Sequence, residues 1–269
     1  MTKSNKPIDQ YLSQRDLGQL DAIIHELKNS PKSTLPPLSS ELIEMLLYFR
    51  TVEALVPVEY GPELRSMPFY FNPDLKKFIW RWEEDETRHG QVIELYLQHR
   101  GVELPELKKT AVTLKYRIIS MTTIALSWLM WFLAGGVYAV IGTIQESTTK
   151  AGYWALMHHV DDPMLRRILS QIQKEEISHL NFYSEMVPLL LKSKFRKRLA
   201  NKFFRLVFRP VGARHGDASR IVSMLISKKN LNTQFNDLVS KGLKNLDETV
   251  PDVSGKVLAN LKALQAQAA

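Results

Sequence analysis

The hydrophobic and polar positions along the chain follow the period of an α-helix almost throughout. Apolar residues recur at i, i+3 and i+4 spacing, and we find no alternating stretch typical of a strand. Ser40 is expected to cap the first main helix, while Asn72 and Asp162, each followed by proline, are expected to cap two more. An amphipathic helix from about Ile8 to Lys28 precedes a linker rich in proline and serine. The pattern therefore predicts an all-α protein.

Helix ends and composition divide the chain into three predicted parts. The first main helix is expected to run to about Tyr60, with a kink at Pro57, and the helix capped by Asn72 is expected to stop at Gly101. The helix capped by Asp162 should continue to about Leu191. The weaker patterns after residue 217 predict helices that cover one side of the protein without contributing chemistry. The three parts are an N-terminal helix with its linker at 1–40, a helical bundle at 41–191, and a basic amphipathic segment with a C-terminal helical extension at 192–269.

The longest apolar segment, residues 118–145, contains no charged residue. It is long enough to cross a bilayer, for which about 20 apolar residues suffice. Its scattered Ser, Thr and Gly residues, and the pair Gly135-Gly136 as a break into two helices, are more typical of a central helix surrounded by others. The sequence alone leaves both interpretations open.

The motif Glu-x-x-His occurs twice, each time on an apolar stripe. Steps of four and three residues from Trp82 reach Glu86 and His89, and the same steps reach Glu176 and His179 on the helix capped by Asp162. A different, wetter face is expected for Glu83, Thr87, Gly90 and Glu94. One such motif is weak evidence, but two on apolar stripes of well-capped helices predict side chains that point inward for a chemical reason.

Two further carboxylates complete a ligand set. A di-metal site in a four-helix bundle takes Glu-x-x-His from two helices and one Glu from each of the other two. Glu53 follows Leu42, Leu46 and Phe49 on the apolar stripe of the first main helix, and Glu146 is the only acidic residue between positions 106 and 161. The predicted metal ligands are therefore Glu53, Glu86, His89, Glu146, Glu176 and His179.

The ligand types indicate the metal. Four buried carboxylates would take up protons if left alone, whereas two divalent cations neutralise all four. The chain has no cysteine, and carboxylate with imidazole favours iron or manganese over zinc. We predict two iron ions, cycling between Fe2+ and Fe3+, with manganese as the alternative in one or both positions.

Charge and composition suggest location and partners. The net charge is +8, and no acidic residue lies between Met186 and Gly216. The basic segment 192–209, interleaved with Phe195 and other apolar residues, predicts a helix that meets an acidic protein or an anionic membrane surface, or that packs on the body with its lysines in water. The lack of cysteine and a polar N-terminus without a secretory apolar core favour a cytoplasmic location, with peripheral membrane contact as an alternative. No nucleic acid partner is expected.

Four motifs resemble those of the soluble acyl-carrier-protein desaturases, within the ferritin-like di-iron carboxylate proteins. The stretch from Asp85 to Gly90, DETRHG, is similar to their Glu-Glu-Asn-Arg-His-Gly. QESTT at 145–149 is similar to their Gln-Glu-Arg-Ala-Thr, and EEISH at 175–179 is similar to their Asp-Glu-Lys-Arg-His. EAL at 53–55 matches their Glu-Ala-Leu. The resemblance extends over about 41–190. It differs in the missing Lys-Arg of the last helix and in the shorter chain, so it indicates the metal better than the substrate.

The resemblance implies a ferritin-like four-helix bundle with additional N-terminal and C-terminal helices. It implies the same six ligands, with Glu86 and either Glu146 or Glu176 as bridges. Thr149 would be a catalytic hydroxyl donor near the oxygen site, although a helix-surface threonine gives the same pattern. Asp85 and Glu175 would orient the two histidines from behind.

The function that follows is an oxygen-dependent di-iron oxidase. It would desaturate or hydroxylate an unactivated C–H bond of an acyl chain carried on an acidic carrier protein, with an acidic electron donor such as a ferredoxin, in a chain that could form a homodimer. One alternative is a membrane-surface di-iron hydroxylase of a lipid or quinone, with the apolar segment and the basic helix as an interfacial anchor. Another is a non-enzymatic helical binding protein whose inward Glu and His form a polar network.

Overall fold

A computed structural model of the chain describes residues 6–15, 17–31, 35–107, 114–207, 218–228 and 230–267; among these, the side chains of 17, 56, 114–117, 119, 203–207 and 264–267 are left aside. The described residues form helices and no strand, which confirms the all-α prediction. The helices are α1 (Pro7–Gln14), α2 (Leu17–Asn29), α3 (Ser40–Arg65), a 3-10 turn (Pro68–Phe71), α4 (Pro73–His99), α5 (Leu114–Leu129), α6 (Trp131–Met157), α7 (Pro163–Leu190), α8 (Lys194–Val207), α9 (Ala218–Leu225), α10 (Leu231–Thr249) and α11 (Val253–Gln267).

The capping residues fix where the long helices begin. Asn72 Oδ1 accepts from the backbone N–H of Asp74 at 3.0 Å, and Asp162 Oδ1 accepts from that of Met164 at 2.8 Å, as the sequence predicted. The first main helix is capped one residue earlier than predicted, because Ser39 Oγ accepts from the N–H of Leu42 at 3.2 Å. These caps satisfy N–H groups of the first turn and so fix the residue at which each helix begins.

Two predicted helix boundaries were wrong. Helix α3 does not end near Tyr60 but continues through Pro57 and Pro62 to Arg65. The N-terminal pattern from Ile8 to Lys28 forms two helices, because Arg15 adopts an extended backbone after α1. This interruption directs the Arg15 side chain into the protein, to the carboxylate of Asp85.

The uncharged segment 118–145 also divides differently from the prediction. It breaks at Met130, between α5 and α6, and not at Gly135-Gly136. Both glycines lie inside α6, where a Cβ atom on Gly136 would lie 2.2 Å from Cδ2 of Leu191. Their small size therefore serves helix packing and not a break. Among the described helices, none combines the length and the apolar character that crossing a membrane requires.

The long helices pack in two pairs around a shared core. Helix α3 packs along α4, α6 packs along α7, and the pairs meet where α4 faces α7. Helices α1 and α2 lie on α4 and α7, while α10 covers α6 and contacts α11. Buried residues from all three predicted parts, such as Ile8, Ile172 and Leu261, belong to one hydrophobic cluster. The division into three parts stays a prediction. Of the basic segment, residues 208 and 209 lie outside the described residues.

Candidate metal centre

The four long helices α3, α4, α6 and α7 bring the six predicted ligands together at mid-length. Their apolar stripes are buried as the sequence predicted, from Trp82 to Tyr96 on α4 and from Leu165 to Met186 on α7. The carboxylates and imidazoles lie within these stripes, and each of the six residues is at most 6% exposed. They are Glu53 on α3, Glu86 and His89 on α4, Glu146 on α6, and Glu176 and His179 on α7.

The ligand atoms form two overlapping groups, and within each group they all lie within 4.8 Å of one another. One group comprises Glu53, Glu86, His89 and Glu176, and the other comprises Glu86, Glu146, Glu176 and His179. Because Glu86 and Glu176 belong to both groups, the geometry suits two adjacent cations with two shared carboxylates. The resemblance left Glu146 or Glu176 open as the second bridge, and this arrangement favours Glu176.

Each histidine turns its Nδ1 atom towards the carboxylates. His89 Nδ1 lies 3.2 Å from Glu176 Oε1 and 3.7 Å from Glu53 Oε2. His179 Nδ1 lies 3.4 Å from Glu86 Oε1. Since Nδ1 is the nitrogen that faces the shared space, it is the atom each histidine would offer to a metal.

The opposite nitrogens are held by carboxylates in a crosswise arrangement. His89 of α4 contacts Glu175 of α7 through Nε2 at 3.0 Å, and His179 of α7 contacts Asp85 of α4 through Nε2 at 3.3 Å. A carboxylate partner keeps the proton on Nε2 and leaves the Nδ1 lone pair free for coordination. Asp85 and Glu175 therefore occupy the orienting positions that the sequence suggested, each acting on the histidine of the other helix.

Asp85 accepts hydrogen bonds from Tyr11 of α1 and from Arg15, which directly follows α1. Neither residue was predicted from the sequence. The Tyr11 hydroxyl donates to Asp85 Oδ2 at 2.7 Å, and Arg15 Nε donates to Asp85 Oδ1 at 2.8 Å. On the other side, Gln171 Nε2 donates to Glu175 Oε1 at 3.1 Å. Tyr11 and Arg15 lie 74 and 70 positions from Asp85, so no local spacing pattern could have linked them to the site.

Two aromatic side chains hold carboxylates of the site. The Tyr153 hydroxyl donates to Glu53 Oε1 at 2.5 Å, and Trp82 Nε1 donates to Glu146 Oε1 at 3.2 Å. Trp82 was predicted only as part of the apolar stripe, and Tyr153 was not singled out. Both fix one oxygen of a carboxylate and leave the other to face the centre.

Several buried atoms of the centre make no hydrogen bond within the described structure. Leaving a buried donor or acceptor unsatisfied costs about 1 to 3 kcal/mol. Five such atoms gathered around one space therefore fit a cluster whose missing partners are cations. They are Glu53 Oε2, both carboxylate oxygens of Glu176, His89 Nδ1 and His179 Nδ1.

The electrostatics give the same indication. Burial, together with the charges of Glu53 and Glu176, raises the pKa of Glu86 well above its ordinary value. Burial and the charge of Glu176 raise the pKa of Glu146 as well. The pKa of His89 is also raised, because Glu175 and Glu176 outweigh the opposing effect of burial. The cluster on its own thus retains protons, which divalent cations would displace on binding.

A close approach of α3 to α4 brings Glu53 to His89. Gly90 is buried, and a Cβ atom there would lie 3.0 Å from the backbone nitrogen of Ala54. Gly90 and Thr87 were predicted to share a wetter face, which is correct for the exposed Thr87 and wrong for Gly90. The absence of a side chain at Gly90 lets the two helices come close enough for Glu53 to join the cluster.

An apolar cavity of about 80 Å³ adjoins the centre. Glu53 and Thr149 lie on its wall, so it reaches the ligand set directly. The C-terminal helices supply much of the wall, so the predicted cover of the bundle also forms one side of the cavity. Thr149 is thus a cavity residue, and its catalytic role stays a prediction. The apolar wall includes Phe49, Val52, Ile144, Ile221, Leu225, Phe235, Val257 and Leu261.

Comparison with known proteins gives one match. The family model described as "Fatty acid desaturase" matches residues 72–201, just under half of the chain. Five of the six predicted ligands lie inside the match, and Glu53 lies before it. Neither the curated proteins nor the solved structures give a match to this chain. Over the segment that carries both Glu-x-x-His motifs, the chain is similar to the fatty acid desaturase family.

Proposed function

We propose that this protein is an oxygen-dependent, non-haem di-iron oxidase of the ferritin-like type that acts on an unactivated C–H bond of an acyl chain. The observation that carries the proposal is the pair of overlapping ligand groups beside an apolar cavity. Similarity to fatty acid desaturases indicates oxidative chemistry on acyl chains, by desaturation or by hydroxylation.

The residues divide naturally between two metal positions. Glu53 and His89 would hold one ion, Glu146 and His179 would hold the other, and the carboxylates of the two overlapping groups would be shared. Two reduced iron ions held by these residues would supply the activation of dioxygen that oxidation of an alkane-like C–H bond requires. Carboxylate and imidazole ligands also suit manganese.

The apolar cavity would bind the acyl chain of the substrate. Its apolar wall matches the chemistry of a methylene chain. Because Glu53 and Thr149 lie on this wall, an acyl chain in the cavity would lie beside the metal ligands. The Thr149 hydroxyl would donate a hydrogen bond at that boundary.

Metal binding tests the ligand set. Anaerobic equilibrium dialysis with Fe2+, and in parallel with Mn2+, should give two ions per chain. Glu86→Gln should lower this number, because Glu86 belongs to both groups. Glu84→Gln is the matched control on the same helix, since the Glu84 side chain is 51% exposed, pairs with Arg81 and Arg15, and belongs to neither ligand group. A protein that binds neither metal, or a Glu86→Gln variant that binds as much metal as Glu84→Gln, would contradict the proposal.

Acyl binding tests the cavity separately from the metal. Ala218 lies on the cavity wall, so Ala218→Phe should fill part of the space. The variant should bind a fluorescent fatty acid probe at least tenfold more weakly. Ala263→Phe, on the exposed surface of α11, is the control and should leave probe binding unchanged. Equal binding by both variants would remove the cavity from the proposal while leaving the metal site intact.

The centre also bears on the non-enzymatic alternative. A purely structural polar network would pair its inward Glu and His atoms with one another, whereas five of these atoms make no hydrogen bond in the described structure. An acidic acyl carrier protein and an acidic ferredoxin stay the predicted partners, on the basis of the basic segment.

A further inference from the structure

Helix α5 exposes an apolar face that no described element covers. Four residues one helical turn apart form this α5 face, namely Ile118, Met121, Ala125 and Leu129. Ile118 is 56% exposed, Met121 71% and Leu129 75%. Helix α5 has described contacts mainly with α6, so most of its circumference faces away from the protein.

The exposed side of α5 is mainly apolar, and its described polar residues are Thr122 and Thr123. Ser120 and Ser127 lie on the half-buried side, where the Ser127 hydroxyl donates to the carbonyl of Ile124 at 2.7 Å. A helix on the surface of a soluble protein normally places its polar residues outward and its apolar residues inward. Outward apolar residues of this extent mark a surface that meets another apolar phase.

Aromatic residues continue the α5 face in both directions. Trp128 contacts Phe71 with ring centroids 5.9 Å apart, and Phe71 is 76% exposed. Trp131, 67% exposed, contacts Phe132 at 6.3 Å, and the Arg196 guanidinium lies 5.7 Å above the Phe132 ring. These contacts place aromatic side chains beside α5 both at the 3-10 turn and at the start of α6, where Arg196 of α8 lies.

Cations border the patch on the α8 side. Lys192, Lys194 and Arg198 are exposed beside Phe195, which is itself 67% exposed. No acidic residue occurs from 187 to 215 of the sequence. Apolar and indole side chains next to a row of lysines and arginines are the combination that recognises the interface of an anionic bilayer.

We propose that the α5 face, with Trp128, Trp131 and the cations of α8, docks the protein on the surface of an anionic lipid bilayer. Charge complementarity favours a lipid surface over a second copy of this chain, because two copies meeting face to face would bring their basic borders together. Exposed tryptophans also suit the headgroup region, where the indole ring is apolar and its N–H is polar.

The docking surface is separate from the acyl cavity, so the inference does not depend on the proposed function. Trp131 begins α6, while Gly152 of the same helix lines the cavity, about 30 Å further along the helix axis. The bilayer would therefore position the protein without entering its cavity. Failure of membrane binding would leave the metal site untouched, and the reverse also holds.

Flotation of the full chain with vesicles tests the proposal. Vesicles of phosphatidylcholine with 30 mol% phosphatidylglycerol, at low ionic strength, should carry the protein upward, and pure phosphatidylcholine vesicles should carry much less. Leu129→Ser should weaken partitioning about tenfold. The control is Leu35→Ser, because Leu35 is also exposed, at 54%. It lies near the C-terminal end of α4, where Arg100 contacts Pro36, whereas Phe71 of the patch precedes the N-terminal end of α4.

The charged border has its own matched pair. Lys192→Ser with Lys194→Ser should weaken partitioning onto anionic vesicles roughly 30-fold, because each lysine near the surface contributes a factor of about five. Lys241→Ser with Lys244→Ser, on the exposed side of α10, should have little effect. Brominated lipid should quench tryptophan fluorescence, and Trp128→Phe with Trp131→Phe should remove that quenching.

Two results would overturn the proposal. One is flotation that does not depend on anionic lipid or on Leu129. The other is a stable dimer by sedimentation that Leu129→Ser dissociates while vesicles have no effect, since the α5 face would then be an interface between two copies of this chain.

Discussion

The contact between Arg15 and Asp85 makes the strongest prediction about how the N-terminus supports the centre. Arg15 donates to both oxygens of Asp85, through Nε at 2.8 and 3.0 Å and through a second nitrogen at 2.5 Å. The Asp85 side chain is 1% exposed and that of Arg15 is 6% exposed. Replacing Arg15 by alanine therefore leaves a carboxylate buried without its main cation.

The magnitude follows from this burial. Removing one partner of a buried ion pair costs about 3 to 5 kcal/mol. Asp85 would keep the Tyr11 hydroxyl and the contact with His179, and Arg88 lies 3.8 Å away, so the lower end of the range applies. We expect Arg15→Ala to lower the free energy of unfolding by about 3 kcal/mol. The loss should be smaller on an Asp85→Asn background, because the charge that Arg15 neutralises is then absent.

Urea unfolding at pH 7, followed by circular dichroism, measures the effect. Arg81→Ala is the control: its pair with Glu84 has side chains 46% and 51% exposed, so the loss should be under about 1 kcal/mol. Equal losses in Arg15→Ala and Arg81→Ala would refute the reasoning. So would full additivity of Arg15→Ala with Asp85→Asn, because the two side chains would then be energetically independent.

Two further predictions concern the helices themselves. Gly142→Ala should lower the free energy of unfolding, measured by thermal denaturation, by about 2 to 3 kcal/mol, because the new Cβ would lie 2.5 Å from ring atoms of the buried Tyr183. In the control Gly255→Ala the new Cβ meets nothing within 4 Å, so the change should be neutral or stabilising by up to about 1 kcal/mol. At the start of α7, the pKa of Asp162 is lowered, since the Tyr96 hydroxyl and two backbone N–H groups outweigh burial. Asp162 therefore stabilises the folded protein fully above its unfolded pKa of about 3.9, and this stabilisation is lost as the pH falls below that value. Asp162→Ala should lower the free energy of unfolding in urea by about 2 kcal/mol at pH 7 and by clearly less at pH 3.

The parts of the fold that follow from local chemistry could be predicted. Asn72 and Asp162 are strong caps because their side chains satisfy backbone N–H groups within three residues, and the structure confirms both. The ends that failed depend on distant neighbours. Gly135-Gly136 looks like a break by propensity, but Leu191 and Phe69 pack against the two glycines and the helix continues.

In the candidate site too, local sequence patterns could be predicted, whereas features that depend on the packing of distant helices could not. The two Glu-x-x-His motifs could be found because the helical period places both residues of each motif on one face, and Glu53 and Glu146 followed from the ligand count. Tyr153 and the cavity could not be found, because they depend on how α6 meets α3 and how α9 to α11 fold over them. A tyrosine on an apolar stripe has no sequence feature that distinguishes a ligand-holding hydroxyl from ordinary core packing.

The two halves of the centre, nearly identical in sequence motif, differ in what lies behind their histidines. Asp85 behind His179 is neutralised by Arg15, whereas the described side-chain partner of Glu175 behind His89 is the neutral amide of Gln171. An un-neutralised carboxylate draws more strongly on the Nε2 proton and makes the other nitrogen of the ring a better electron donor. His89 shares its ligand group with Glu53, which lines the cavity. We therefore expect the His89 imidazole, on the side of the apolar cavity, to be the more electron-rich of the two, an asymmetry that depends on Arg15, a side chain far from either motif in the sequence.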